Sequence, residues 1–168
     1  LSLSKDLTKE KANSIYYVFP QIILGKNFAR HDRTKKQVLI LGYYGATNYG
    51  DELMLKSILD RADKSSEYSA TFFNNYRYNF NQWPNCFAYS LPDSIDDFDK
   101  IAKFYDELII GGGAHIDDKN YIGPGFIPFL SIELSLLFLK HNKKVKWVGV
   151  SSNKELHSID YTNKLKTI

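Results

Sequence analysis

The chain has 168 residues, of which 43% are hydrophobic and 24% are charged, and its formal net charge is +3. This is the balance of one ordinary globular domain with a core, and it excludes a largely disordered chain. The small positive charge is scattered along the sequence, so it does not favour a nucleic-acid-binding protein.

Residues 1–36 differ in pattern from the rest of the chain. An apolar patch at 15–24 is followed by a basic linker at 26–36. We expect an appendage whose apolar patch packs on a neighbour, because such a patch would otherwise promote aggregation. The first residue is Leu1 and no signal-peptide order follows it, so we also expect the chain to begin inside a longer gene product.

From residue 37 to residue 168, apolar runs of strand length alternate with patterns of helical period. This alternation predicts an α/β fold: a Rossmann-like parallel sheet with flanking helices, truncated at its C-terminal end. The predicted strands are 38–41, 68–73, 86–89, 108–110 and 145–150. Helices are predicted from about residue 51, at 93–105 and at 126–140, with a further helix beginning in the tail from 155. The strand at 108–110 is apolar throughout, which predicts a central position in the sheet.

Helical spacing predicts the buried faces of the first two helices. The first buried face comprises Leu53, Leu55, Ile58 and Leu59, and the second comprises Ile95, Phe98, Ile101, Ala102 and Tyr105. The apolar run at 126–139 is too short for a membrane span and contains a proline and a glutamate, so it predicts a core helix.

The sequence contains one cysteine, Cys86, which cannot form an internal disulfide. A buried, reduced thiol is favoured over a nucleophile. A reduced thiol predicts a cytoplasmic protein, either free or at the inner face of the membrane. There is no Gly-x-Ser-x-Gly elbow, Cys/His pair or metal-ligand cluster in the sequence. Serine hydrolases, thiol enzymes and zinc enzymes are therefore not supported.

The most informative local feature is the glycine-punctuated segment after the first strand. Gly42, Gly45 and Gly50 permit close approach to the backbone, Asn48 can brace the turn, and Asp51 can cap free amides at the start of the helix. A loop of this kind presents backbone amides to an anionic group. The dinucleotide fingerprint and the Walker lysine are both missing, which disfavours NAD and ATP.

Two tyrosines, Tyr43 and Tyr44, follow the first glycine. At the mouth of the loop their flat rings would suit the faces of a sugar. An equally good interpretation is a tight strand-to-helix turn whose tyrosines pack on the linker.

A second glycine segment, Gly111, Gly112 and Gly113, follows the apolar strand at 108–110. Three residues without side chains predict a loop in which the backbone bends sharply or meets a ligand. Because the carboxyl ends of parallel strands share one edge of the sheet, we expect the two glycine segments to lie at the same site.

Polar residues follow the second glycine segment. His115 titrates near neutral pH and could donate a proton or contact a carboxylate or phosphate, although a lone loop histidine is more often structural or solvated. Asp117 and Asp118 could cap the following turn, bind a sugar hydroxyl or be solvated. Paired carboxylates this close in sequence do not by themselves indicate a glycosidase.

A polar-aromatic segment at 74–83 combines Arg77 with Tyr76, Tyr78, Phe80 and Trp83. Such mixtures occur at carbohydrate and anion sites, where aromatic faces stack and arginine forms paired hydrogen bonds. The alternative is a surface loop held in place by its aromatic residues.

Three segments, in their order along the chain, carry a family resemblance. They are Gly42-Tyr-Tyr-Gly-Ala-Thr-Asn-Tyr-Gly-Asp-Glu52, Leu108-Ile-Ile-Gly-Gly-Gly-Ala-His-Ile-Asp-Asp118 and Val145-Lys-Trp-Val-Gly-Val-Ser151. The first two resemble the N-terminal signatures of the polysaccharide pyruvyl transferase family, and the third is similar to the family's next strand. The resemblance covers residues 38 to about 151.

The resemblance implies a two-domain fold like that of glycosyltransferases of the B type, of which this chain holds the first Rossmann-like half. Family members transfer the enolpyruvyl unit of phosphoenolpyruvate to a sugar, commonly as a pyruvate ketal on a cell-surface glycan or its lipid-linked precursor. The implied partners are phosphoenolpyruvate as co-substrate, a glycan acceptor and a C-terminal domain, with no cofactor, metal, nucleic acid or membrane span.

The site residues implied by the resemblance come from both signatures. They are Gly45, Asn48, Gly50 and Asp51 in the first and Gly111, Gly112, Gly113 and Asp118 in the second. Two positions depart from the pattern, since Thr47 stands where the family usually has glycine and His115 where it usually has an apolar residue. The His and Arg residues that the family uses for donor binding and proton transfer belong to the second half, so we expect this chain alone to be inactive. Within this half, Asp51 and His115 are the candidates for a catalytic role.

Two other functions stay open. A glycosyltransferase that uses a nucleotide sugar would have the same kind of fold, and it would release a nucleoside diphosphate in place of phosphate. A non-catalytic glycan-binding or scaffold domain would keep the fold and lack the chemistry.

Overall fold

The structure is a computed structural model that describes residues 32–44, 48–72, 86–90, 95–123, 126–152 and 156–168. The apolar patch of the predicted appendage, Gly45, Thr47 and the segment that contains Arg77 lie outside these residues.

Strands and helices alternate along the described part of the chain. The strands are β1 (Lys36–Leu41), β2 (Ser66–Phe72), β3 (Cys86–Ser90), β4 (Glu107–Ile116) and β5 (Lys144–Ser152). The helices are α1 (Tyr49–Asp60), α2 (Phe98–Phe104), α3 (Ile127–Lys140) and α4 (Ile159–Thr167). Short 3₁₀ turns at Ile95–Asp97 and Asp118–Asn120 precede α2 and follow β4. No helix among the described residues is long and apolar enough to cross a membrane.

The five strands form one parallel sheet in the order β3-β2-β1-β4-β5. The chain moves outward from β1 to β3 and then crosses back to β4, which lies directly beside β1. The predicted α/β class and the central position of the 108–110 strand are therefore confirmed. In sheets of this kind ligands bind beyond the carboxyl ends of the strands, at the point where the strand order reverses, and here that point lies between β1 and β4.

The sheet is covered on both faces, which explains why its central strands are continuous apolar runs. Successive side chains of a strand point to opposite faces. Leu39 and Leu41 pack in a cluster with α2 and α3, whereas Val38 and Ile40 pack in a second cluster with α1.

Two residues predicted to be buried are exposed. Leu53 has 46% of its surface exposed, because the face of α1 that meets the sheet is centred on Leu55 and Leu59. Ile95 is 59% exposed, because it lies in a 3₁₀ turn before α2 and the predicted helix at 93–105 does not run through it.

The largest difference from the sequence prediction is the length of β4. The three glycines were expected in a loop after residue 110, but they lie inside a strand that continues to Ile116. Pairing with β5 extends through Gly113 and Val150 and, after an irregularity, reaches Ile116 and Ser152. The pairing with β5 keeps this segment extended, and this partner could not be assigned from the glycines alone.

Candidate functional site

The end of β1 and the middle of β4 make contact through two glycines. A Cβ atom at Gly42 would lie 2.1 Å from the carbonyl oxygen of Gly111, so only glycine allows this approach. Tyr44 fills the space beside them, fully buried, and its hydroxyl donates to the same carbonyl at 2.5 Å. The prediction that Tyr44 lies at the mouth of the loop is therefore wrong, because the missing glycine side chains leave a core position for its ring.

Next along β4, the backbone of Gly112 and Gly113 adopts positive φ values of +80° and +96°. Other residues rarely adopt this conformation. A Cβ atom at Gly113 would lie 2.6 Å from Cδ2 of Tyr43 and 3.2 Å from Oδ1 of Asp51, and one at Gly112 would lie 3.4 Å from the same oxygen. The tyrosine ring and the carboxylate thus lie directly over the glycine backbone, and the two glycine segments meet at one edge of the sheet, as expected.

Asp51 lies in the first turn of α1 and is only 5% exposed. The capping role expected for it belongs to Asn48, whose side chain accepts a hydrogen bond from the backbone N–H of Gly50 at 3.2 Å. The carboxylate of Asp51 forms no hydrogen bond or ion pair with a described residue. Burial raises its pKa, because removal from water disfavours the charged form.

The ring of Tyr43 lies beside the bend, the name used here for the positive-φ segment Gly112 and Gly113 of β4. Its ring is half-buried and packs edge-on against the ring of His115, with the centroids 5.5 Å apart. Burial, followed by the negative charges of Asp117 and Asp51, raises the pKa of the phenol to about 12. The phenol therefore keeps its proton at neutral pH.

His115 is fully buried and does not lie in a solvated loop. Its Nε2 lies 2.5 Å from the carbonyl oxygen of Gly112, and its Nδ1 lies 2.7 Å from the hydroxyl of Ser131 on α3. A carbonyl can only accept, so we assign the imidazole proton to Nε2. The one hydroxyl proton of Ser131 has two acceptors within reach, Nδ1 of His115 and the carbonyl oxygen of Ile127 at 2.7 Å. Burial lowers the pKa of the imidazole to about 4. At neutral pH the side chain is an uncharged connection between the bend of β4 and α3, which favours the structural interpretation.

The two aspartates after β4 both accept hydrogen bonds from backbone N–H groups. The carboxylate of Asp118 accepts from the backbone N–H groups of His157 and Ser158 at 2.5 and 2.7 Å, and these bonds lower its pKa. Asp117 accepts from the backbone of Lys119 at 3.0 Å. Capping of the following turn was one of the alternatives that the sequence left open, and it is confirmed for Asp117, whereas Asp118 binds the backbone just before α4.

Tyr161 is a component of the site that the sequence did not indicate. It is the buried residue of α4, and its hydroxyl donates to the carbonyl of His115 at 3.2 Å and accepts from the backbone N–H of Asp117 at 3.0 Å. The available signal was an aromatic residue in an otherwise polar tail. Together with Asp118, this tyrosine attaches α4 to the end of β4.

The electrostatic character of the bend is neutral to negative. Asp51 has no described lysine or arginine as an ion-pair partner. Lys36 and Lys146 pair with Glu107 at the opposite end of β4, and Lys164 pairs with Glu133. Within the described residues no group of three or more His, Cys, Asp or Glu side chains is placed to hold a metal ion.

No family model, curated protein or solved structure matches this chain.

Proposed function

We propose that this chain is the first Rossmann-like half of a pyruvyltransferase, which moves the enolpyruvyl group of phosphoenolpyruvate onto a sugar of a cell-surface polysaccharide. One observation carries the proposal. The two segments that resemble the family's signatures are far apart in sequence, yet Asp51 of the first lies over Gly112 and Gly113 of the second at the reversal point of the sheet.

The reaction makes demands that this half meets only in part. A proton must reach the methylene carbon of phosphoenolpyruvate, positive charge develops at the adjacent carbon, and the departing phosphate needs cationic groups or amides. The described edge offers a carboxylate, a protonated phenol and glycine backbone. Under the proposal the donor-binding cations come from a second domain that faces this one, as in glycosyltransferases of the B type.

The test is an assay of the full-length protein with phosphoenolpyruvate and a panel of surface-type oligosaccharides. We expect phosphate release in step with a glycan product that gains one pyruvic acid and loses one water. As a control, Gly123→Ala should leave phosphate release unchanged, since a Cβ atom there would meet nothing within 4 Å.

Other outcomes would assign a different function. Release of a nucleoside diphosphate from a nucleotide sugar, without turnover of phosphoenolpyruvate, would replace the proposal by a glycosyltransferase. Glycan binding without turnover of either donor would indicate a non-catalytic recognition domain.

A further inference from the structure

The buried carboxylate of Asp51 lacks the partners that such a group normally has. Buried polar groups in folded proteins are nearly always hydrogen-bonded, and a buried charge is usually paired. Asp51 is 5% exposed, yet its carboxylate forms no hydrogen bond or ion pair with a described residue. It is not among the described residues that have a fully enclosed, unpartnered side-chain oxygen, so the carboxylate still reaches solvent. An acceptor group is thus held at the surface of the bend without a donor from the described part of the chain.

The surroundings define the shape of what could bind there. The carboxylate lies over the positive-φ backbone of Gly112 and Gly113, where side chains are absent, and the half-buried ring of Tyr43 lies beside the same backbone. A flat aromatic ring next to a hydrogen-bond acceptor is a common arrangement for binding one face of a sugar and its hydroxyls. The two oxygens of a carboxylate can accept from two neighbouring hydroxyls at once.

The charges at this edge argue against an anionic ligand. The N-terminus of a helix is usually a favourable place for a phosphate, and the sequence predicted such a role for the first glycine segment. Here the first turn of α1 already carries the carboxylate of Asp51, and Asn48 occupies the amide of Gly50. The charge of Asp117 also acts on Tyr43 at the same bend. A phosphate at the bend would meet two like charges and no described cation.

We propose that Asp51 is a hydroxyl-binding residue, and that the wall formed by Asp51, Tyr43, Gly112 and Gly113 takes an uncharged sugar diol and excludes phosphate. The proposal rests on the proposed function, in which this wall contacts the acceptor and the donor phosphate is bound elsewhere. Beyond that function, it specifies an uncharged diol as the ligand of this wall and Asp51 as the residue that selects it.

The test is ligand binding to the full-length protein, with methyl β-galactopyranoside and methyl α-mannopyranoside as diol probes and inorganic phosphate as the anionic probe. Saturation-transfer NMR gives the affinity, and the backbone amides of Gly112 and Gly113 report the location. We expect a diol to shift both amides, and phosphate to leave them unchanged.

Asp51→Asn is expected to weaken diol binding at least tenfold, because an amide replaces one acceptor by a donor. Asp60→Asn is the matched control, since it makes the same change in charge at an exposed position of the same helix. Asp51→Ala is the second variant, and the amide spectrum of each variant confirms that it is folded.

Three results would overturn the inference: no diol binding at these amides, equal affinity in Asp51→Asn and the parent, or phosphate binding at the same amides. Its failure is separable from that of the proposed function. Diol binding that depends on Asp51, without phosphate release from phosphoenolpyruvate, would retain the inference and remove the pyruvyltransferase.

Discussion

The burial of His115 predicts how the stability of the protein depends on pH. Its folded-state pKa of about 4 lies below the ordinary value of 6.5, so the fold favours the neutral imidazole. As the pH falls below 6.5 the unfolded chain binds a proton that the folded chain does not yet bind, and stability falls until about pH 4. The difference corresponds to about 3 kcal/mol, at about 1.4 kcal/mol for each pH unit.

The substitution that tests this is His115→Gln. It removes the titrating group and weakens the connection between Gly112 and Ser131, so the variant should be less stable than the parent at pH 7. The parent loses the contribution of the imidazole on acidification, whereas the variant has none to lose. The difference in free energy of unfolding between the two proteins should therefore shrink by about 3 kcal/mol from pH 7 to about pH 4.

Urea unfolding at a series of pH values measures this difference. The carboxylates are the same in both proteins, so their contributions to the free energy of unfolding cancel in the difference. The reasoning would be refuted by a constant difference for His115→Gln, or by an NMR titration in which the His115 ring protonates near pH 6.5.

Further substitutions test the geometry of the site by chemical unfolding. Asp51→Asn should stabilise the protein at pH 7, because burial raises the pKa of the carboxyl and so disfavours its charged form. The gain should vanish as the pH falls to the ordinary value of 3.8, and no gain at pH 7 would contradict an unpaired buried charge. Gly42→Ala should destabilise by about 3 kcal/mol or more, because its Cβ atom would lie 2.1 Å from a backbone oxygen, whereas Gly123→Ala should be neutral. Tyr161→Phe should cost about 1–3 kcal/mol by leaving two backbone groups unpaired, and a similar loss for the exposed Tyr49→Phe would argue against that cause.

The sequence was sufficient for the sheet and for the meeting of the two glycine segments. Strands buried on both faces, such as Val38 to Leu41, are continuous apolar runs, and the rules for parallel sheets then bring their carboxyl ends to one edge. The segment with Arg77 lies outside the described residues, so its predicted role stays a prediction.

The positions of individual side chains at the bend were not predictable in the same way. His115 is buried because Ser131 on α3, 16 residues away, and the carbonyl of Gly112 occupy both ring nitrogens. Tyr44 is buried because two glycines from different strands leave space for its ring. Both depend on contacts between separate elements, which local patterns do not encode.

The unequal lengths of β1 and β4 have a consequence for local unfolding. β1 pairs with β4 only as far as Leu41 and Ile110, and beyond that point β5 is the strand, among those described, that pairs with β4. A two-stranded ribbon is only marginally stable by itself, so this one depends on its attachments to α3 and α4. We expect the amides from Gly111 to Ile116 to exchange with solvent through openings that leave the rest of the sheet intact. A ligand held at this edge would close those openings, and slowed hydrogen exchange confined to the ribbon would report its binding.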